Sequence, residues 1–499
     1  MKAQGAVHTL EPVTTYRADP LALTRLAAIT RERAAAVDSA AASVASLAAW
    51  GPVDTAAALR TMAAFAGWAA EWAASIDERA RLLDEHAMAV STPTVTSRHR
   101  LDSHLRGRDH AMHTPVPAML HRWEQQVAAA LVTFDRLTAG GDEQGAAAFL
   151  CRIGRGLPRE IAARRPDIVA GLAGAPLEAR FEANRRRIAA VHANLTSRVR
   201  DAPADEARDI REELDMLAGF LAPERNFVMF DWDGAGRIAE WIGPGNADHV
   251  TVVVPGMGSG KATVDSAARD AATMLAHAPG DGDLAVVTAT VYESPDWLIE
   301  AASTSSAEAG GPILVELLSG LALRGRHVTL VGHSYGSVVV GVALRGGLAA
   351  ALGPDADVVL VGSPGVGVGR AADLGVDPAR VWAGLLPRDE VRWALHPIAM
   401  VGLAACSATV APWRNLVTGG CDVTEWLVHG RNPVHAAFGA NVFAASAEGL
   451  GVLDLHHGGY WATEPADRGQ RPSTALANLL RIATGRYDDV TRDLTESLE

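Results

Sequence analysis

The sequence predicts a doubly wound α/β domain with a mostly parallel sheet, preceded by an all-helical N-terminal region. From residue 225 onward, short apolar runs alternate with helix-length segments, a pattern typical of a parallel sheet covered by helices on both faces. Upstream, Ala-, Arg- and Glu-rich sequence carries apolar residues at helical spacing. The chain of 499 residues also exceeds one ordinary core. We therefore expect a helical hairpin and linker over 1–110, a further helical region over 111–224 and the α/β domain over 225–499.

The composition excludes several classes of protein. A net charge of -13 argues against a nucleic-acid partner, because such a face needs clustered cations. Three cysteines fit neither a disulfide framework nor a four-cysteine zinc site. The N-terminus lacks the apolar run of about 7–15 residues of a signal peptide, so a cytoplasmic location is expected. Pro397 and Pro412 interrupt the uncharged stretch Trp393–Trp413, leaving less than the roughly 20 residues of a membrane span.

The first predicted helices form an αα-hairpin. An Asp-Pro helix start at 19–20 opens one amphipathic stretch, Trp50-Gly51-Pro52 ends it, and a second stretch continues to about residue 88. This hairpin resembles the helical-hairpin proteins of type VII secretion, whose turn carries Trp-x-Gly, although Trp and Gly are adjacent here. The resemblance implies a protein partner and leaves export by a type VII-like route open. The longest later helical stretch, 177–221, should break at Asp201-Ala202-Pro203.

A group of histidines lies in the Arg-rich stretch after the hairpin. His99, His104, His110 and His113 have no supporting carboxylate pattern, so a solvated loop is favoured over a metal site. We expect neither a metal nor an organic cofactor.

Eight apolar runs are the predicted strands of the C-terminal domain. Phe227–Trp232 and Arg237–Trp241 flank the hairpin-turn signal Asp233-Gly234. The six later runs are Val250–Val254, Leu284–Val291, His327–Val331, Val358–Val361, Val381–Leu386 and Phe438–Phe443. Their length and continuous apolar character predict buried parallel strands.

The third parallel run leads into the candidate nucleophile. Gly332-His333-Ser334-Tyr335-Gly336 matches G-x-S-x-G and is followed by an apolar helical pattern. A strained strand-to-helix turn that displays a serine needs neighbours without a Cβ. In so glycine-rich a chain the pattern G-x-S-x-G can arise by chance. The predicted strand before it and the predicted helix after it are what indicate a nucleophile. The motif predicts an α/β-hydrolase fold with Ser334 as nucleophile.

A serine nucleophile needs a histidine as base, and the histidine needs an acidic side chain to orient it. In this fold the three residues follow one another along the chain in the order Ser, acid, His, so the acid must follow the nucleophile. The run Val381–Leu386 leads directly into Asp389 and Glu390. Asp389 is the first candidate and Glu390 the second.

The base must lie after the last strand. His456 and His457 both follow Phe438–Phe443, and spacing does not separate them. His429 and His435 precede that strand and are less suited.

Two backbone amides are needed to stabilise the oxyanion of an acyl-transfer reaction. One belongs to Tyr335, the residue after the nucleophile. The other is expected in the early loop Val254–Gly260, from Met257 or Gly258. Loss of one such donor raises the barrier by about 3–4 kcal/mol.

Several sequence blocks resemble a bacterial α/β-hydrolase family long catalogued as a domain of unknown function. The blocks within residues 205–486 are Asp248–Val250, Val254–Gly256, Val331–Ser337, Val361–Gly367, Phe438–Ala440 and Asn478–Gly485. The resemblance implies a Ser–Asp–His hydrolase and no particular substrate. In that family the histidine precedes Ser-x-Tyr, and His457-Gly458-Gly459-Tyr460 follows this pattern with Gly458 in place of the serine, which favours His457.

These residues predict a serine hydrolase of ester-like or lipid-like small molecules, with the stretch Trp393–Trp413 contributing to an apolar acyl pocket. Amide and thioester hydrolysis and acyl transfer to an alcohol stay open. One alternative is a non-catalytic, partner-binding protein on the same scaffold. Another is a nucleotide site at residues 255–263, but Pro255 and Ala262 occupy positions where a P-loop needs glycine and a hydroxyl.

Overall fold

The computed structural model describes residues 116–154, 156–280, 283–295, 300–321, 323–387, 389, 391, 426–446, 456–466 and 469–493. The helical-hairpin prediction, the histidine-rich stretch 99–113, Glu390 and the stretch Trp393–Trp413 lie outside this part of the chain. The described residues all belong to one compact unit.

Helices occupy the described sequence before the sheet. They are α1 Val116–Ala139, α2 Glu143–Arg152, α3 Leu157–Arg164, α4 Pro166–Gly171, α5 Leu177–Arg198 and α6 Ala204–Phe220. The predicted break at 201–203 is confirmed, since Pro203 lies just before α6, where its missing N–H costs nothing. Asn184 of α5 donates its side-chain N–H to the Phe227 carbonyl at 3.0 Å, which ties the helices to the first strand.

An eight-stranded sheet forms the centre of the C-terminal domain. Its strands are β1 Phe227–Asp231, β2 Arg237–Ile242, β3 His249–Val254, β4 Leu284–Thr290, β5 His327–His333, β6 Asp357–Val361, β7 Val381–Gly384 and β10 Asn441–Val442. Their spatial order is β1-β2-β4-β3-β5-β6-β7-β10. β1 pairs antiparallel with β2, and β2 antiparallel with β4, whereas the remaining pairs are parallel. The mostly parallel sheet is therefore confirmed.

Two smaller hairpins flank the sheet. They are β8 Trp426–Leu427 with β9 Gly430–Arg431, and β11 Thr463–Pro465 with β12 Gln470–Pro472.

Helices cover both faces of the sheet. They are α7 Val264–His277, α8 Ser305–Gly320, α9 Gly336–Ala343, the short α10 Ala349–Leu352 and α11 Thr474–Ala483. Alternate strand residues enter two different cores: Val252 packs with α8 and α9, whereas Val286 and Val359 pack with α7 and α11. Burial on both faces explains why the strands read as continuous apolar runs. Within the described residues, no helix is both long and apolar enough to span a membrane.

The last strand is shorter than the sequence predicts. Ala436–Phe438 forms a 3₁₀ turn, and Gly439 follows it with a φ of +83°. Phe438 is buried within this turn. Its apolar side chain therefore packs in the core without belonging to a strand. Pairing with β7 begins only at Asn441.

Candidate active site

Ser334 lies in a strained bend between β5 and α9. Its φ is +52°, and it is the one non-glycine residue with a positive φ in the described part of the chain; such a conformation costs on the order of 1–3 kcal/mol. The bend is held by close packing, because a Cβ at Gly336 would lie 2.2 Å from the Val254 carbonyl oxygen and one at Gly332 would lie 2.6 Å from Ser337 Cα. Both positions of the motif therefore require glycine.

His457 and Asp389 form a hydrogen-bonded pair. The Nδ1 atom of His457 lies 2.7 Å from Oδ1 of Asp389, whose side chain is fully buried. Asp389 also accepts hydrogen bonds from the Tyr460 hydroxyl and, at 2.9 Å, from the Val391 N–H. Burial acts to raise the pKa of Asp389, but the hydrogen bonds and charge of its partners outweigh it and hold the pKa below its ordinary value. The carboxylate can thus orient the imidazole through Nδ1–H.

The serine and the histidine–aspartate pair meet at the carboxyl end of β6. Ser334 donates its N–H to the Val361 carbonyl at 2.9 Å. Gly362 follows Val361, and a Cβ at Gly362 would lie 2.9 Å from both Asp389 Oδ2 and His457 Cε1. About 9% of the Ser334 surface is exposed, so the serine lies at the base of the site.

The loop after β3 lies on the other side of the serine. A Cβ at Gly256 would be 2.5 Å from Ser334 Cβ. Gly258 donates its N–H to the Pro295 carbonyl at 3.1 Å, which occupies that amide and leaves Met257 as the candidate donor in this loop. The Tyr335 amide lies at the N-terminus of α9, where backbone N–H groups point away from the helix toward an anion.

Two stacked tyrosines connect these donors. The rings of Tyr292 and Tyr335 are 5.8 Å apart and stacked. The Tyr292 hydroxyl donates to the Pro255 carbonyl at 2.7 Å, and the Tyr335 hydroxyl donates to the Ser303 carbonyl at 2.6 Å. Sequence reasoning missed Tyr292; its place directly after a predicted strand was the available signal.

His333 supports the histidine loop. Its Nε2–H donates to the His457 carbonyl at 2.8 Å, and the two rings are 4.8 Å apart. Burial, followed by the charge of His457, lowers the pKa of His333 to about 3. His333 is therefore neutral wherever the protein is folded at ordinary pH, and it acts as a hydrogen-bond donor.

The other histidines near the predicted site have different roles. His429 Nε2 bonds to the Ala301 carbonyl at 2.5 Å, and His435 caps a 3₁₀ turn by accepting from the Ala437 N–H at 3.2 Å. His456 begins the 3₁₀ segment that contains His457, and its side chain lies outside the described atoms.

Neither the near-P-loop region nor the described histidine, cysteine and acidic side chains form a second candidate site, for a nucleotide or for a metal. The Lys261 ammonium lies 4.4 Å over the Trp232 ring and 3.6 Å from Glu213 Oε1, so its charge already has protein partners. Across the described residues, no cluster of three or more His, Cys, Asp or Glu side chains is arranged to hold a metal ion.

Comparisons with known proteins agree with this architecture. A family model described as alpha/beta hydrolase matches residues 231–399. An uncharacterized protein of Mycobacterium bovis is 31% identical over 219 residues, which cover 40% of this chain and 79% of that protein. The chain belongs to this α/β-hydrolase family.

Other similarities are more distant. An uncharacterized protein of Mycobacterium tuberculosis strain H37Rv is 27% identical to this α/β-hydrolase over 381 residues, or 67% of this chain and 54% of that protein. The chain thus spans about half the length of this relative. The structure of a fungal esterase from Rhizomucor miehei has 15% identity and a TM-score of 0.28, covering 60% of this chain and 96% of its own.

Proposed function

We propose that the protein is a serine hydrolase that cleaves ester-like substrates through Ser334, His457 and Asp389. The observation that carries the proposal is the 2.7 Å His457–Asp389 pair beside the strained serine. Serine is a weak nucleophile at neutral pH and needs an oriented base. Support for a catalytic rather than a scaffold role comes from the strain itself, since backbone strain of this kind clusters at functional sites.

The proposed reaction is acyl transfer to water. Ser334 Oγ attacks the carbonyl carbon while its proton passes to His457 Nε2, because Nδ1–H donates to Asp389. The oxyanion accepts hydrogen bonds from the Tyr335 and Met257 amides. The C–O bond then breaks, and His457 returns the proton to the departing alcohol. Water, deprotonated by His457, then attacks the carbonyl carbon of the acyl-serine ester. The bond to Ser334 Oγ breaks, His457 returns the proton to Oγ, and the acid is released.

Labelling with a fluorophosphonate probe tests the nucleophile. We expect stoichiometric labelling of the wild type, none of Ser334→Ala, and full labelling of Ser197→Ala, which removes an exposed hydroxyl on α5. The reagent requires an activated serine. Equal labelling of wild type and Ser334→Ala would assign the nucleophile to another serine, whereas an unlabelled but folded wild type would support the non-catalytic alternative.

A second test concerns the acyl group. We propose a preference for apolar acyl chains, and kcat/KM should rise along p-nitrophenyl acetate, butyrate and octanoate, because each buried CH₂ contributes about 0.8 kcal/mol. Equal values for acetate and octanoate would contradict the preference without affecting the assignment of Ser334.

A further inference from the structure

A cavity of about 100 Å³ lies between α7 and the segment that carries the catalytic histidine. Its lining includes Ala267 and Asp270 of α7, Pro255, His333 and Trp461. Most of the lining is apolar. Asp270 carries the carboxyl group among the lining residues.

The cavity adjoins the proposed active site at three places. His333 directly precedes Ser334, Gly458 directly follows His457, and Pro255 directly precedes Gly256. A Cβ at Gly256 would touch the serine, at 2.5 Å from its Cβ. The sequence neighbours of the candidate nucleophile, base and oxyanion loop therefore line this cavity.

Asp270 is a carboxylate that lacks a neutralising partner inside the cavity. It is partly buried, and burial raises its pKa to about 6, opposed among the described residues by the charge of the exposed Arg269. His333 supplies no positive charge, since its pKa is lowered to about 3. At neutral pH the cavity thus holds a poorly solvated negative charge, which favours a bound cation.

A second lining residue suits a cation as well. Trp461 is largely buried and lines the cavity; the face of tryptophan attracts alkylammonium groups more strongly than the other aromatic side chains do. A cavity of about 150 Å³ holds benzene. The smaller volume here corresponds to about four or five non-hydrogen atoms, the size of a trimethylammonium group.

We propose that this cavity is a subsite for a small alkylammonium group on the alcohol part of an ester substrate, bound by the Asp270 carboxylate and the Trp461 indole. The alcohol side is chosen because Gly458 follows His457, the residue that protonates the departing oxygen. The assignment of this group to a substrate rests on the proposed hydrolase function, whereas the binding of a cation in the cavity does not depend on that function.

Binding is measured first, by saturation-transfer NMR of tetramethylammonium added to the full-length protein. Wild type should bind tetramethylammonium, whereas tert-butanol, which is uncharged and of similar size, should give no saturable signal. Asp270→Asn should bind at least 10-fold more weakly, because it keeps the shape and removes the charge. Ala267→Leu should also abolish binding, since it fills the cavity while retaining Asp270.

Two further variants serve as controls. Asp209→Asn, which removes an exposed charge on α6, and Ser334→Ala should both bind tetramethylammonium as wild type does. Undiminished binding in folded Asp270→Asn or Ala267→Leu, or equal binding of tert-butanol, would overturn the subsite.

Hydrolysis is measured second, with butyrylcholine and its uncharged isostere 3,3-dimethylbutyl butyrate. The ratio of their kcat/KM values should be at least 10 in wild type and near 1 in Asp270→Asn. A ratio unchanged by Asp270→Asn would refute the alcohol-side assignment. If neither ester is cleaved and the fluorophosphonate does not label Ser334, the hydrolase proposal fails, while the NMR result still decides the cation site.

Discussion

Two histidine–aspartate pairs lie at opposite edges of the same sheet. His457 and Asp389 meet at the carboxyl edge, whereas His327 and Asp357 are the first residues of β5 and β6 and lie at the amino edge. In each pair the nitrogen–oxygen distance is 2.7 Å, and each aspartate is fully buried. Residue types and distance alone would not distinguish them.

Their surroundings differ. Asp357 also accepts hydrogen bonds from the Tyr487 hydroxyl at 2.7 Å and the Trp382 indole N–H at 3.1 Å. The Nε2 atom of His327 bonds to Asp357, while its Nδ1 lies 3.0 Å from Nδ1 of His249. Both ring nitrogens of His327 are thus engaged within a closed network. The His457–Asp389 pair instead lies beside the one strained serine of the described chain, which is what makes it a candidate catalytic pair.

The largest expected difference is in turnover. His457→Ala should lower kcat on p-nitrophenyl butyrate by at least about 10⁴-fold, because the serine loses its base. His327→Ala should leave kcat within about threefold of wild type, since its network lies at the other edge. Stopped-flow or plate-reader rates on proteins of verified folding would measure both. Comparable losses in the two variants would abolish the distinction between the pairs.

The next effect concerns stability. Asp357→Asn removes the charge of a fully buried side chain whose network also includes the partly exposed Arg380, 3.6 Å away. The free energy of unfolding should fall by about 3–5 kcal/mol, because breaking a buried ion pair leaves its partners uncompensated.

The matched variant on the catalytic side is Asp389→Asn, which should lower kcat by about 10⁴-fold through misorientation of the imidazole. Urea denaturation at pH 7 and initial rates provide the two readouts. An active Asp389→Asn enzyme would speak against its role.

A smaller effect is expected from the tyrosines of the two pairs. Tyr460 donates to Asp389 Oδ2 and accepts from the Leu386 N–H at 3.2 Å. Tyr460→Phe should lower kcat about tenfold, the worth of about one hydrogen bond, and should raise the pKa of Asp389. A carboxyl group whose pKa is lowered in the folded protein stabilises the fold, and this stabilisation is lost as the pH falls through the folded-state pKa. With a higher pKa at Asp389, the free energy of unfolding of Tyr460→Phe should therefore begin to fall at a higher pH than that of wild type.

Tyr487→Phe is the control for that prediction, since it removes the corresponding hydrogen bond to Asp357. It should change stability and leave kcat unaltered. A loss of activity as large as that of Tyr460→Phe would show that the tyrosines do not distinguish the pairs.

The smallest effect is a pH dependence at the carboxyl edge. The pKa of His333 is lowered to about 3 in the folded protein, so below about pH 6.5 the unfolded chain binds a proton that the folded chain does not. Stability should therefore fall as pH decreases from about 6.5 toward 3, and less steeply in His333→Asn. Urea midpoints at pH 7, 6 and 5 measure the slopes; parallel slopes would contradict the burial of His333 as a cause.

The sequence predicts the sheet better than its last strand or the side chains that contact the His457–Asp389 pair. Continuous apolar runs identify β3 to β7 because those strands are buried on both faces. The strained bend at Ser334 was predictable from local sequence, since it requires glycines at 332 and 336. Tyr460 belongs to a local family pattern, but its contact with Asp389, like that of His333 with the His457 carbonyl, joins distant segments, and no local pattern specifies these contacts.

The amino-edge pair shows the same limit. His327 and Asp357 each begin an apolar run, and neither position indicates that the two side chains will meet. Phe438 was assigned to a strand because apolar character in a buried turn and in a buried strand look alike.

Gly362 makes no side-chain contact of its own, yet a methyl group there would press on both His457 and Asp389. Its φ of +55° adds to the penalty for any other residue. Gly362→Ala would consequently retain every candidate catalytic group in a chain of almost unchanged chemistry while displacing the imidazole. Under the proposed function, such a variant offers a means to crystallise the protein with an uncleaved ester, with the serine hydroxyl still present.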